Sequence, residues 1–273
     1  MYLCSMKRKE PGLLHYQMGK EVTAFSTTRQ EGYSKGLYGA FNINRYCGDN
    51  EEAIRRNREA LCEVLGIEDL RLLMPHQVHL TEIAVVDEEL LGLSPKELQE
   101  KLDGTDALMT NITGLCIGVS TADCIPVLLY DKVQRAVCAI HAGWRGTVKR
   151  IVEKALKKMA DTYGTKPCDV TAQIGPGIHL ESFEVGDEVY EAFAHEGFTM
   201  ERISRRYKTT DGTGEKWHID LPACNREQLL ATGVLDENIA VSPICTYTES
   251  DTYFSARRLG ISSGRIFTGI LLH

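Results

Sequence analysis

Nine cysteines are spread over 273 residues without one Cys-x-x-Cys pair, and eight histidines without one His-x-His pair. The first absence, with the odd count, argues against a disulfide framework and reads as reduced intracellular thiols. The second argues against a multicopper centre, whose ligands come as His-x-His pairs. The combined His-x-Glu and Pro-Cys-x-x-Cys signature of zinc base deaminases is missing, as are a Walker motif and a dinucleotide fingerprint. No run approaches the ~20 apolar residues of a membrane span, and residues 1–12 hold no apolar stretch of signal-peptide length. The cytoplasm is therefore the expected compartment, with no membrane partner. Basic charge is in deficit: 31 Lys and Arg against 38 Asp and Glu leave a net charge of −7, which argues against a nucleic-acid binder.

What remains is an ordinary globular composition, 43% hydrophobic and 25% charged, in a chain long enough for a core that needs no staples. Apolar β runs are expected at 22–26, 70–74, 82–86, 107–110, 115–119, 125–130, 136–140, 170–174 and 265–272. Helices are expected from an Asp49 cap through Leu65, at 94–102 with Ser94 capping Pro95, at 186–194, and from an Asp220 cap to about Thr232. Val148, Ile151, Val152, Ala155, Leu156 and Met159 fall at offsets 0, 3, 4, 7, 8 and 11, one clean helical stripe. Asp103–Asp106 reads as a turn and residues 211–214 as a polar loop. Short strand-to-strand turns coexist with strand-helix-strand crossings, and no linker, repeat or low-complexity tract intervenes. The chain is expected to form one α/β domain over 1–273, layered around a mixed sheet.

The chemistry concentrates between Val119 and Arg150. Cys124 and His141 bracket an apolar hairpin-like segment, and His79 lies 45 residues before the cysteine. Two imidazoles and a thiolate suit zinc, and three protein ligands leave a fourth position for water or substrate. The same residues admit Cys124 as a nucleophile with His141 as its base, and a free cysteine between β runs is also simply a small core residue. Asp123 adjoins the cysteine, and His141 ends its β run where a glycine-flanked turn opens a helix. Gly143-Trp144-Arg145-Gly146 offers backbone N–H groups and a guanidinium to an oxyanion, with Arg58 turned inward as a second cation. Gly175-Pro176-Gly177 can bring amides close to a ligand, and Arg29 sits in a polar loop suited to binding.

Taken together the motifs resemble the YfiH-like family, also called laccase-domain or polyphenol oxidase proteins. The matching segments are Thr28-Arg29, Asn42 and Gly48-Asp49 leading to Asn57-Arg58, Gln77-Val78-His79, Thr121-Ala122-Asp123-Cys124-Ile125-Pro126, His141-Ala142-Gly143-Trp144-Arg145-Gly146, Ile174-Gly175-Pro176-Gly177 and Phe254-Ser255-Ala256-Arg257-Arg258. The resemblance implies a cysteine-hydrolase-like α/β fold and a zinc site of His79, Cys124 and His141, rather than a multicopper centre. It implies phosphorolysis of inosine, guanosine, adenosine and methylthioadenosine, with deamination of adenosine as a further activity. Arg29, Asn42, Arg58, Gln77, Asp123 and Arg145 then become the expected substrate and phosphate contacts of a monomer acting on a small nucleoside and phosphate. A second implied activity is an amide hydrolase that edits a serine-containing cell-wall precursor; a metal-bound scaffold without turnover is a third reading. Two departures bear on substrate choice. Leu80 stands where the family commonly has glycine, and His179-Leu180-Glu181-Ser182-Phe183 replaces a cysteine-rich continuation.

Overall fold

Strands Leu115–Thr121, Ile125–Asp131 and Ala136–Ala142 are buried along their whole length, the consequence of apolar side chains on both faces. In the computed structural model, which describes residues 9–209 and 212–273, they belong to two sheets that pack face to face. The first sheet runs Leu13–Tyr16, Val22–Thr27, Ile266–Leu272, Leu115–Thr121, Leu72–Leu73. The second runs Ile239–Val241, Val170–Ile174, Ile125–Asp131, Ala136–Ala142, Ala107–Thr110, Ile83–Val85. Both are mixed, with parallel pairs at Leu72–Leu73, Ile83–Val85 and Ile239–Val241.

Alternation along each strand decides which layer a side chain enters. Ile117, Val119 and Ile270 of the first sheet meet Leu128, Tyr130, Val137 and Ala139 of the second between the sheets. Cys116, Phe267 and Leu271 point the other way, under Leu61 and Cys62 of the helix Glu51–Leu65. Val127, Leu129, Cys138 and Ile140 face Ile151, Val152, Ala155, Leu156 and Met159 of the helix Ile151–Tyr163, beside Leu221–Ala231. The order is helix, sheet, sheet, helix. A three-stranded sheet of Glu184–Val185, Glu215–Ile219 and Ser204–Lys208 is added outside it.

Several expected boundaries move. Asn50, not Asp49, caps the first helix, its side chain accepting from Ala53 N; Asp49 instead accepts from Ser34 and Asn42. The stripe from Val148 to Met159 is broken: Trp144–Val148 is a separate short helix, and Arg150 in the left-handed region (φ 60°) starts the next. The polar loop at 211–214 joins two antiparallel strands that charged residues had obscured; its Asp211, like Cys4, lies outside the described residues.

Three connections pass from one sheet to the other at the same end. The segment after Leu72–Leu73 carries His79 to Ile83–Val85, and the turn after Leu115–Thr121 carries Cys124 into Ile125–Asp131. The return from Ile239–Val241 to Ile266–Leu272 carries Arg257 and Arg265. The chain is thus bound to gather side chains there.

Candidate metal centre and its cavity

The three crossings wall a cavity of about 740 Å³ whose floor holds His79, Cys124 and His141. One ligand atom from each lies within 4.8 Å of the others, and among the described residues this is the one such group of metal-ligating side chains. The imidazoles of His79 and His141 stand edge to face, centroids 4.7 Å apart. Each residue is held by its own local device. His141 ends the strand Ala136–Ala142, opposite Pro126. Cys124 follows Asp123, whose positive φ of 88° turns the chain sharply before the next strand. His79 itself adopts φ 63°, costly for a residue with a Cβ and tolerated where surrounding bonds impose it.

Asp106 imposes it. Its carboxylate accepts from His79 N at 2.9 Å and Leu80 N at 2.7 Å, and it meets His141 Nδ1 at 2.7 Å. Its carbonyl accepts from His141 N at 2.8 Å. One fully buried side chain thereby orients two of the three candidate ligands, leaving His141 Nε2 for the third. Burial pushes this carboxyl up, and the hydrogen bond and charge of His141 outweigh it, so its pKa lies below the ordinary value. From the sequence alone Asp106 reads as a turn residue. The available signal was an acidic residue directly ahead of a fully apolar strand, where a carboxylate needs a partner.

Burial also raises the Cys124 thiol, but the charges and hydrogen bonds of His141 and His79 overcome that and bring it down to about 6. His141 moves the opposite way, to about 9: burial lowers it, while Cys124 and the Asp106 carboxylate raise it more. A thiolate facing two imidazoles is a soft and nitrogen donor set. Gly143 lies against the group; a Cβ there would stand 3.1 Å from Cys124 Sγ and 3.2 Å from His79 Cδ2. The three donors converge on space that only glycine leaves open, which suits one metal ion.

The residues named from sequence are distributed unevenly. Gln77 lines the cavity and is tied to the strand behind it, donating to Ser120 O at 2.9 Å and accepting from Ser120 N at 2.7 Å. Asp123 also lines it, but its oxygens accept from Thr246 Oγ1 at 2.8 Å and Arg257 N at 2.7 Å. Asn42 is buried behind the wall, accepting from Arg265 N and Asn44 N. Arg29 lies over Phe254 and donates to Gly39 O and Ser250 O. Arg58 and Arg145 are not brought to the cavity. Arg58, 7% exposed, pairs with Asp69 at 2.8 Å and donates to Leu72 O, tying the first helix to its sheet. Arg145 is exposed and stacks on Trp144. The Gly175-Pro176-Gly177 turn serves as a buttress: Ile178 N donates to Asp123 O at 2.8 Å, and a Cβ on Gly177 would strike Ile125 Cδ1 at 2.3 Å.

The cations that do face the cavity are Arg257 and Arg265. Their side chains donate to backbone carbonyls, Arg257 to Glu184 O and Arg265 to Ser263, Gly264 and Ile261. Among the described residues neither has a carboxylate within ion-pair distance, so two guanidinium charges confront the cavity without a counter-ion. The Thr121 hydroxyl on the same wall is buried without a partner.

The chain is 49% identical over 252 residues to a Bacteroides thetaiotaomicron protein named purine nucleoside phosphorylase, covering 92% of each. It is 43% identical over 249 residues to adenosine deaminase RL5 of an unknown prokaryotic organism, covering 91% of this chain and 93% of that one. The crystal structure of the hypothetical protein YfiH of Bacillus licheniformis superposes with a TM-score of 0.88 at 27% identity, over 98% of both chains. Residues 23–273 match the family described as multi-copper polyphenol oxidoreductase laccase, and on these grounds the chain belongs to that YfiH-like, laccase-domain family.

Proposed function

We propose that the chain is a zinc-dependent purine nucleoside phosphorylase acting on inosine, guanosine, adenosine and methylthioadenosine. One observation carries the reading: a donor trio suited to a single metal shares its cavity with two guanidiniums that lack counter-ions. The names of the two relatives supply the purine nucleoside. Zinc held by His79, Cys124 and His141 would supply Lewis-acid polarisation of an oxygen ligand.

The remaining work falls to the chain's own side chains. Arg257 and Arg265 seat phosphate by charge-assisted hydrogen bonds, the part that Arg58 and Arg145 were expected to play from sequence. Holding the anion against the sugar replaces a bimolecular encounter by a positioned one, and the guanidiniums offset the charge shared between phosphate and leaving base as the C–N bond loosens. Adenosine deamination is a second reading, favoured by the 43% relative; it needs water in place of phosphate and the same trio.

Purified protein supplied with inosine and phosphate is expected to release hypoxanthine and ribose 1-phosphate, in proportion to bound zinc. Arg265→Ala is expected to raise the KM for phosphate about tenfold or more, the loss of one charged hydrogen-bonding partner. Release without phosphate, turnover of a muramyl amide instead, or full activity in Cys124→Ala would overturn the proposal.

A further inference from the structure

A departing purine needs a proton. The electron pair of the broken C1′–N9 bond would otherwise leave on an anion, and protonation at N7 makes the base a far better leaving group. Most of the proton-carrying groups lining the cavity are committed elsewhere. His79, Cys124 and His141 form the metal trio, and both oxygens of Asp123 already accept hydrogen bonds. The Cys47 thiol donates to Asn44 O and is pushed up by burial, as is the Tyr46 phenol. Arginine does not give up its proton in proteins. His76 remains.

That histidine is built in on several sides. Its backbone N donates to Leu102 O at 3.2 Å, and its carbonyl accepts from Gly104 N at 3.0 Å. Its Nδ1 lies 2.5 Å from Asp103 Oδ1, and its ring stacks on Tyr46 with centroids 4.2 Å apart at 26°. Nε2 is the ring atom with no hydrogen-bond partner among the described residues. An imidazole whose Nδ1–H is held by a carboxylate presents Nε2 in a fixed direction, and histidine is the side chain most often used as a general acid or base.

We propose that His76 is the catalytic proton donor to the departing purine and that Asp103 is its positioning residue, an inference that rests on the phosphorolysis reading above. Phosphate oxygen forms the new bond to C1′ as the C1′–N9 bond breaks, and its electron pair goes to the base. His76 Nε2–H delivers its proton to N7. The proton that monohydrogen phosphate brought returns to His76, so nucleoside and monohydrogen phosphate give ribose 1-phosphate and neutral base, and the histidine ends as it began.

The test compares substrates that need this proton with ones that do not. Guanosine needs it; 7-methylguanosine carries its positive charge at N7 already, and a nitrophenyl riboside leaves as a stable phenolate. His76→Gln is expected to lower kcat on guanosine about 100-fold, the usual contribution of one general acid. On the two activated substrates it is expected to stay within about twofold of wild type, a split that misfolding or a displaced wall would not produce. Asp103→Asn is expected to show the same split with a smaller loss. Equal losses on all three substrates, or none on guanosine, overturn the role of His76 while leaving phosphorolysis standing. Wild type that turns over none of them with phosphate overturns the proposed function and this inference together.

Discussion

Cys124 combines a crowded position with an acidic thiol. Of the described cysteines, Cys62, Cys116, Cys138 and Cys224 are raised by burial, Cys62 to about 11, whereas the facing imidazoles bring half-buried Cys124 down to about 6. The sign is that of a depressed acid: its thiolate persists above about pH 6 and is lost as pH falls through that value. In metal-free protein, iodoacetamide is expected to label Cys124 with a rate inflecting near pH 6, read by peptide mass spectrometry, and saturating zinc is expected to abolish the labelling. An inflection at the ordinary thiol value would show that the imidazoles do not act on it. Gly143 offers the complementary steric test. Its φ of −67° suits alanine, so Gly143→Ala strains no backbone, but the new methyl crowds Cys124 and His79. Zinc affinity is expected to drop at least tenfold with an unchanged circular dichroism spectrum, measured by competition with a chromophoric chelator.

Among the elements, the buried strands and the amphipathic helices were legible because their periodicity is unambiguous. Leu115–Thr121 and Ala136–Ala142 read as continuous apolar runs, and the part of the stripe from Ile151 to Met159 reads as one face, Val148 falling on the short helix before it. Ser204–Lys208 and Glu215–Ile219 were not legible, since Arg205, Arg206, Lys216 and Glu215 sit on an added sheet open to water and mask the alternation. The grouping of His79, Cys124 and His141 as candidate ligands was legible as chemistry plus family resemblance. Its support was not, because Asp106 acts through three backbone N–H groups, of Val78, His79 and Leu80, and one ring nitrogen that only the folded crossing brings near. Arginine misled for a related reason: guanidinium chemistry reads the same whether it meets Asp69, as Arg58 does, or an open cavity, as Arg265 does. Asp106→Asn keeps the shape but removes the charge that orients His141 and anchors His79. It is expected to lower zinc affinity about 10–100-fold. Arg58→Met, by contrast, is expected to leave the KM for phosphate unchanged and to cost about 1–3 kcal/mol of stability in urea unfolding, since Leu72 O loses a buried donor.

At the scale of the molecule, the candidate metal centre sits where the chain passes between sheets, so its candidate ligands come from segments far apart in sequence that only the folded chain assembles. His79 rides one crossing, Cys124 a second, and His141 ends a strand of the second sheet. A metal that binds only when these are assembled adds its binding free energy to folding. With free zinc at 100 times its Kd, that linkage amounts to about 2.7 kcal/mol. At about 2–4 °C per kcal/mol for chains approaching this size, the melting temperature is expected to rise by about 5–10 °C on zinc addition and to fall back with a chelator. The same scan on Cys124→Ala is expected to show no zinc-dependent shift. A shift of equal size in that variant would mean that zinc stabilises the fold from somewhere other than the crossings, and the cavity would lose its claim to be a metal centre.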